Sequence, residues 1–60
     1  MSIRTLNKQL EEKGLSDTKE VTRYKGKYYL LHICANGVPV PLNLSKNIQD
    51  IKDAIDLLEA

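Results

Sequence analysis

The stretch YYLLHICANGVPVPLNL, Tyr28 to Leu44, decides the fold of this 60-residue chain. It holds most of the strand-forming residues, yet it places two prolines, Pro39 and Pro41, just after an Asn-Gly pair. Proline has no N–H to give to a β-ladder, so a strand carrying two of them must present those positions away from its neighbour. Asn-Gly between apolar runs is a strong hairpin signal. Read as a two-residue loop, Asn36-Gly37 makes Ala35 and Val38 the closing hydrogen-bonded pair. Hydrogen-bonded positions alternate along a strand, so Val38, Val40 and Leu42 turn their N–H groups inward and positions 39 and 41 look outward. The third strand is therefore an edge whose outer side is closed to a further strand.

The same register sorts side chains, because directly opposed residues share a face. Tyr29, Leu31, Ile33, Val38, Val40 and Leu42 fall together, and this aliphatic face is the expected core. Tyr28, Leu30, His32, Cys34, Pro39 and Pro41 fall on the opposite, open face. Upstream, Lys25-Gly26 separates EVTRY from KYYLLHIC and predicts a first hairpin. A two-residue turn there puts Val21 with Tyr28, and a three-residue turn with a glycine bulge puts it with Tyr29. The bulged form is expected, since it sends Val21 into the core.

Helices flank this meander. Ile3, Leu6 and Leu10 recur at helical spacing after a capping Ser2. Gly14 closes that helix in a Schellman motif, with Leu15 folding back on Leu10. Ile48, Ile51, Ile55 and Leu58, with Ala54 alongside, form a second amphipathic helix, capped by Ser45 or Asn47, with Asp50 three residues after Asn47 as in a capping box. The expected architecture is α+β, in the order α-β-β-β-α, as one small domain with both helices on one face of a three-stranded antiparallel meander.

Composition narrows the function classes. Net charge is +1, too small to argue for a nucleic-acid or membrane partner, although the first thirty residues carry +3 and the last thirty −2. The single cysteine, Cys34, excludes an internal disulfide and reads as a small buried hydrophobe. The first residues contain no apolar run of signal-peptide or membrane-span length, so a soluble, cytoplasmic protein is expected. His32-x-Cys34 supplies two metal ligands with no second pair, too few for a structural zinc site. As a nucleophilic pair it lacks a third group and a pocket. Glu11, Glu12, Asp50, Asp53, Asp56 and Glu59 lie at helix-surface spacings. No enzyme activity, cofactor, metal or small-molecule substrate is expected.

Two candidate surfaces follow. Tyr24, Tyr28, Leu30 and His32, with Thr22, would form an exposed aromatic and aliphatic patch for a protein partner or for a second copy in a homodimer. Lys19, Arg23, Lys25 and Lys27 would form a basic hairpin, the basis of an alternative nucleic-acid-binding function. Asp53, Asp56 and Glu59 add an acidic run where it opposes the helix dipole.

The element order is similar to that of double-stranded-RNA-binding domains. Their second helix begins with a lysine-rich segment, however, and SKNIQD has Lys46 followed by acid. The succession of LNKQLEEKGL, EVTRYKGKYYLL, a short V-x-V strand and a final amphipathic helix resembles small uncharacterised proteins of phages and other mobile elements. That resemblance implies a phage or prophage accessory protein and no particular activity.

Overall fold

In a computed structural model, which describes residues 1–58, the chain runs α1 (Ile3–Glu12), β1 (Lys19–Tyr24), β2 (Lys27–Ile33), β3 (Pro39–Ser45) and α2 (Ile48–Asp56). The strands form one antiparallel sheet in the order β1-β2-β3. The expected α-β-β-β-α order and α+β class are what the structure has.

Local signals act as the sequence implies. The Thr5 N–H donates to Ser2 Oγ at the start of α1. At its end Gly14 has φ +75°, its N–H donates to the Glu11 carbonyl, and the Leu15 N–H donates to the Leu10 carbonyl at 2.9 Å. That pair of bonds is a Schellman closure, and it delivers Leu15 against the core. At the start of α2 both suggested caps are used. Asn47 Oδ1 accepts from the Gln49 N–H, while Ser45 Oγ accepts from the Asn47 N–H and donates to Asp50 at 2.6 Å. The acidic residue thus reaches the cap through a serine hydroxyl.

The first hairpin differs from expectation. Tyr24 pairs with Lys27 across a two-residue loop in which Lys25 (φ +52°) and Gly26 (φ +78°) are both left-handed, a type I′ turn. The primed turn matches the right-handed strand twist, which is why it displaces the bulged alternative. Val21 then faces the same side as its partner Leu30. The second loop also differs. Gly37, at φ +84°, donates to the Cys34 carbonyl, and the Cys34 N–H donates to the Val38 carbonyl. Ala35-Asn36-Gly37 is therefore a three-residue loop closed by Cys34 and Val38. Positions 39 and 41 remain non-hydrogen-bonded, so the prolines do look outward from an edge strand. Their partners have moved by one residue, with Pro39 opposite Ile33, Val40 opposite His32 and Pro41 opposite Leu31. A bulge between Leu30 and Leu31 leaves Leu42 as the extra residue, after which Asn43, Leu44 and Ser45 oppose Leu30, Tyr29 and Tyr28.

These shifts overturn the face assignment. Leu6 and Leu10 of α1, Val21, Leu30, and Ile51 and Ile55 of α2 are buried in one cluster, with Tyr28 packed at its margin. Leu30 is 0% exposed, so the face carrying Tyr28, Leu30 and His32 is the covered one. Val38, Val40 and Leu42, expected inside, are 52%, 42% and 47% exposed. The physical reason lies in β1. With the two-residue turn, Val21 stands opposite Leu30 and shares its side of the sheet. Helices over that face bury both, with Lys19 and Arg23 at its outer edge, while Glu20 and Lys27 fall on the other side.

Candidate functional site

The uncovered face of the sheet is the candidate site. Alternation from the buried Val21 and Leu30 assigns it Glu20, Thr22 and Tyr24 on β1, and Lys27, Tyr29, Leu31 and Ile33 on β2. On β3 it carries Pro39, Pro41 and Leu44, with the bulged Leu42 beside Pro41. Leu42, Leu44 and Tyr24 are exposed, and Tyr29 and Leu31 are partly so. The face is thus apolar through its middle, with one carboxylate on its β1 edge and one ammonium at its first-hairpin end.

Both edges beside it are partly occupied. On β3, Pro39 and Pro41 offer no donors. On β1, outward backbone groups of Lys19 and Val21 find partners within the chain. The Lys19 N–H donates to the Leu15 carbonyl at 2.9 Å. Asn7 of α1 donates from Nδ2 to the Val21 carbonyl (3.0 Å) and accepts the Val21 N–H at Oδ1 (2.7 Å). The helix thereby pairs with the strand as a neighbouring strand would, which favours the flat face over an edge for a partner.

The expected patch is divided. Tyr24 lies on the open face, whereas Tyr28, Leu30 and His32 lie under the helices. His32 Nδ1 stands 2.9 Å from Lys19 Nζ of the directly opposed residue. Arg23 lies over the Tyr28 ring at 5.6 Å from its centre.

The basic hairpin is divided as well. Lys19 and Arg23 project on the helix side, Lys27 on the open side, and Lys25 from the turn, 5.3 Å above the Tyr24 ring. No single surface gathers all four. In the acidic run, Asp53 accepts from Gln49 (2.9 Å), and Asp56 accepts from Lys52 (2.8 Å) and from Gln9 of α1. The Lys52 ammonium, followed by the Gln9 amide, holds the Asp56 carboxyl below its ordinary range. Glu59, expected to continue the run, lies outside the described residues.

A shallow groove follows the junction of α1 and β1, lined by Arg4, Lys8 and Lys19 together with Glu11 and Glu20. Its interspersed charges form no focused field for an anion or a cation. Among the described residues no three His, Cys, Asp or Glu side chains gather as metal ligands, and no helix is long and apolar enough to cross a membrane.

Tyr29, Leu31, Leu42 and Leu44 are the surface residues that sequence reading assigned elsewhere or passed over, whereas Pro39 and Pro41, expected on the open face, lie there. The signal that could have found them is the turn at Lys25-Gly26: in its two-residue register Val21 pairs with Leu30, and that aliphatic pair marks the side the helices cover. No family model, no curated protein and no solved structure matches the chain.

Proposed function

We propose that this chain is a small non-enzymatic interaction protein, a phage or prophage accessory protein acting in the cytoplasm, which binds another protein or a second copy of itself through its open sheet face. One observation supports this reading above others. A layer bearing Tyr29, Leu31, Pro41, Leu42 and Leu44 stands without a cover, while Asn7 occupies Val21 on one strand edge beside it and two prolines remove donors from the other. Contiguous exposed apolar surface on so small a molecule marks a contact surface. The face differs from the one the sequence suggested, since Tyr28, Leu30 and His32 serve the core side. The nucleic-acid alternative has less support, because Lys19 and Arg23 project on one side and Lys27 on the other.

The test is capture from a bacterial lysate, with the wild-type chain and the Leu31→Glu variant immobilised in parallel and an untagged copy of the chain added to both. A protein held by the wild type and lost by the variant is the expected result. Equal retention by both chains, or retention by neither, overturns the reading.

A further inference from the structure

We infer that the open face is covered by a second copy of the chain, stacked face to face about a two-fold axis with its strands antiparallel to the first. The inference rests on the interaction reading above and names its occupant. Three observations carry it.

The first is the state of the edges. Asn7 and Leu15 occupy the outward groups of Val21 and Lys19, and Pro39 and Pro41 lack the donors of β3. These occupied groups and missing donors disfavour joining two sheets edge to edge into a continuous ladder, and association then uses side chains on the flat face.

The second is charge. Glu20 and Lys27 are the charged residues that the strands place on this face; Lys27 stands at its hairpin end, opposite Tyr24, and Glu20 on the β1 edge, opposite Leu31. A two-fold axis crossing the strands at Tyr29 lays Lys27 of one copy over Leu31 of the other, beside that copy's Glu20. An axis running along the strands instead sets Lys27 against its own copy, an unfavourable like-charge contact. The face is thus self-complementary in one orientation and self-repelling in the other, as an isologous interface requires.

The third is size. Strands of six and seven residues, with their neighbours about 4.8 Å apart, present a face of roughly 20 by 15 Å. At about 300 Å² per copy that is below the size of a stable specific interface, so the dimer expected is a weak, transient one rather than an obligate one. The buried cluster has six residues, so the apolar area gained on association is large relative to the chain's own core.

Sedimentation equilibrium over roughly 10 µM to 1 mM, a span that extends to the concentrations a weak dimer needs, tests the proposal. The wild type is expected to show a monomer–dimer equilibrium. Leu31→Glu and, separately, Leu44→Glu should be monomeric with unchanged far-ultraviolet circular dichroism; Leu44 lies on an exposed edge strand, so its substitution spares the core. Glu20→Lys should weaken the dimer by about fivefold or more, through two like-charge contacts per dimer. The charge-swapped Glu20→Lys, Lys27→Glu chain should recover it, because both cross-copy pairs are restored in reverse. A wild type that stays monomeric throughout, a dimer that survives both glutamates, or a charge swap without recovery overturns the inference. If the wild type is monomeric while a lysate protein still distinguishes it from Leu31→Glu, self-association falls and the interaction reading stands.

Discussion

Asn7 grips the backbone of Val21 from both sides, donating to its carbonyl at 3.0 Å and accepting its N–H at 2.7 Å. One side chain on α1 thereby covers the outer edge of β1 at Val21 and ties the first helix to the strand whose valine enters the core.

Removing that clamp should be costly for a surface helix position. Asn7→Ala leaves the outward N–H and C=O of Val21 unpaired in a half-buried setting, a loss of about 1–3 kcal/mol. For a chain this short the melting temperature should fall by about 5–20 °C. Urea and thermal denaturation followed by circular dichroism measure it, and a loss below about 0.5 kcal/mol, within the range of an ordinary surface substitution, would show that water replaces the amide at no cost.

Adjacent leucines on β2 should respond oppositely. Leu30→Ala opens a void in the six-residue cluster and is expected to cost about 2–5 kcal/mol, enough to unfold so small a domain. Leu31→Ala, on the uncovered face, should cost less than about 1 kcal/mol for the monomer. The reverse ranking, read by denaturant titration at low protein concentration, is incompatible with the assigned faces.

Lys25 holds a left-handed conformation at φ +52°, which an L-residue with a Cβ adopts at a cost of about 1–2 kcal/mol. Lys25→Asn gives the turn its preferred Asn-Gly pair and should stabilise the fold by about 0.5–1 kcal/mol, net of the lost lysine–Tyr24 contact. A destabilised variant in thermal melts would mean that the contact outweighs the backbone.

The Asp56 carboxyl titrates below its ordinary value because Lys52 and then Gln9 bond to its charged form. Its contribution to stability is therefore fully present above the ordinary carboxylate pKa and is lost as pH falls through the lowered folded-state value. The acid limb of stability against pH should flatten in Asp56→Asn. Carbon-detected NMR titration of Asp56 reads the shift directly; an unshifted midpoint in the wild type would contradict the bonds from Lys52 and Gln9.

Much of the architecture was already present in local spacing. The Ser2 cap, the Gly14 closure with Leu15, the apolar stripe Ile48-Ile51-Ile55, the order of three strands and the outward prolines each depend on residues within a few positions of one another. Chain geometry over that range admits few alternatives. The candidate site was not legible in the same way. Whether Asn36-Gly37 is a two- or a three-residue loop cannot be told from those residues alone, and a shift of one residue exchanges every side chain's face.

The amino-acid sequence by itself determined the elements, their caps, their order and the edge position of the strand carrying Pro39 and Pro41. Tertiary structure alone decided which side of the sheet the helices cover, because that choice compares distant groups. Val21 and Leu30 gain burial under Leu6, Leu10, Ile51 and Ile55, while Glu20 and Lys27 keep their water on the other side. Only the assembled sheet brings Val21 beside Leu30, and burying that pair under the helices leaves Tyr29, Leu31 and Leu44 facing outward.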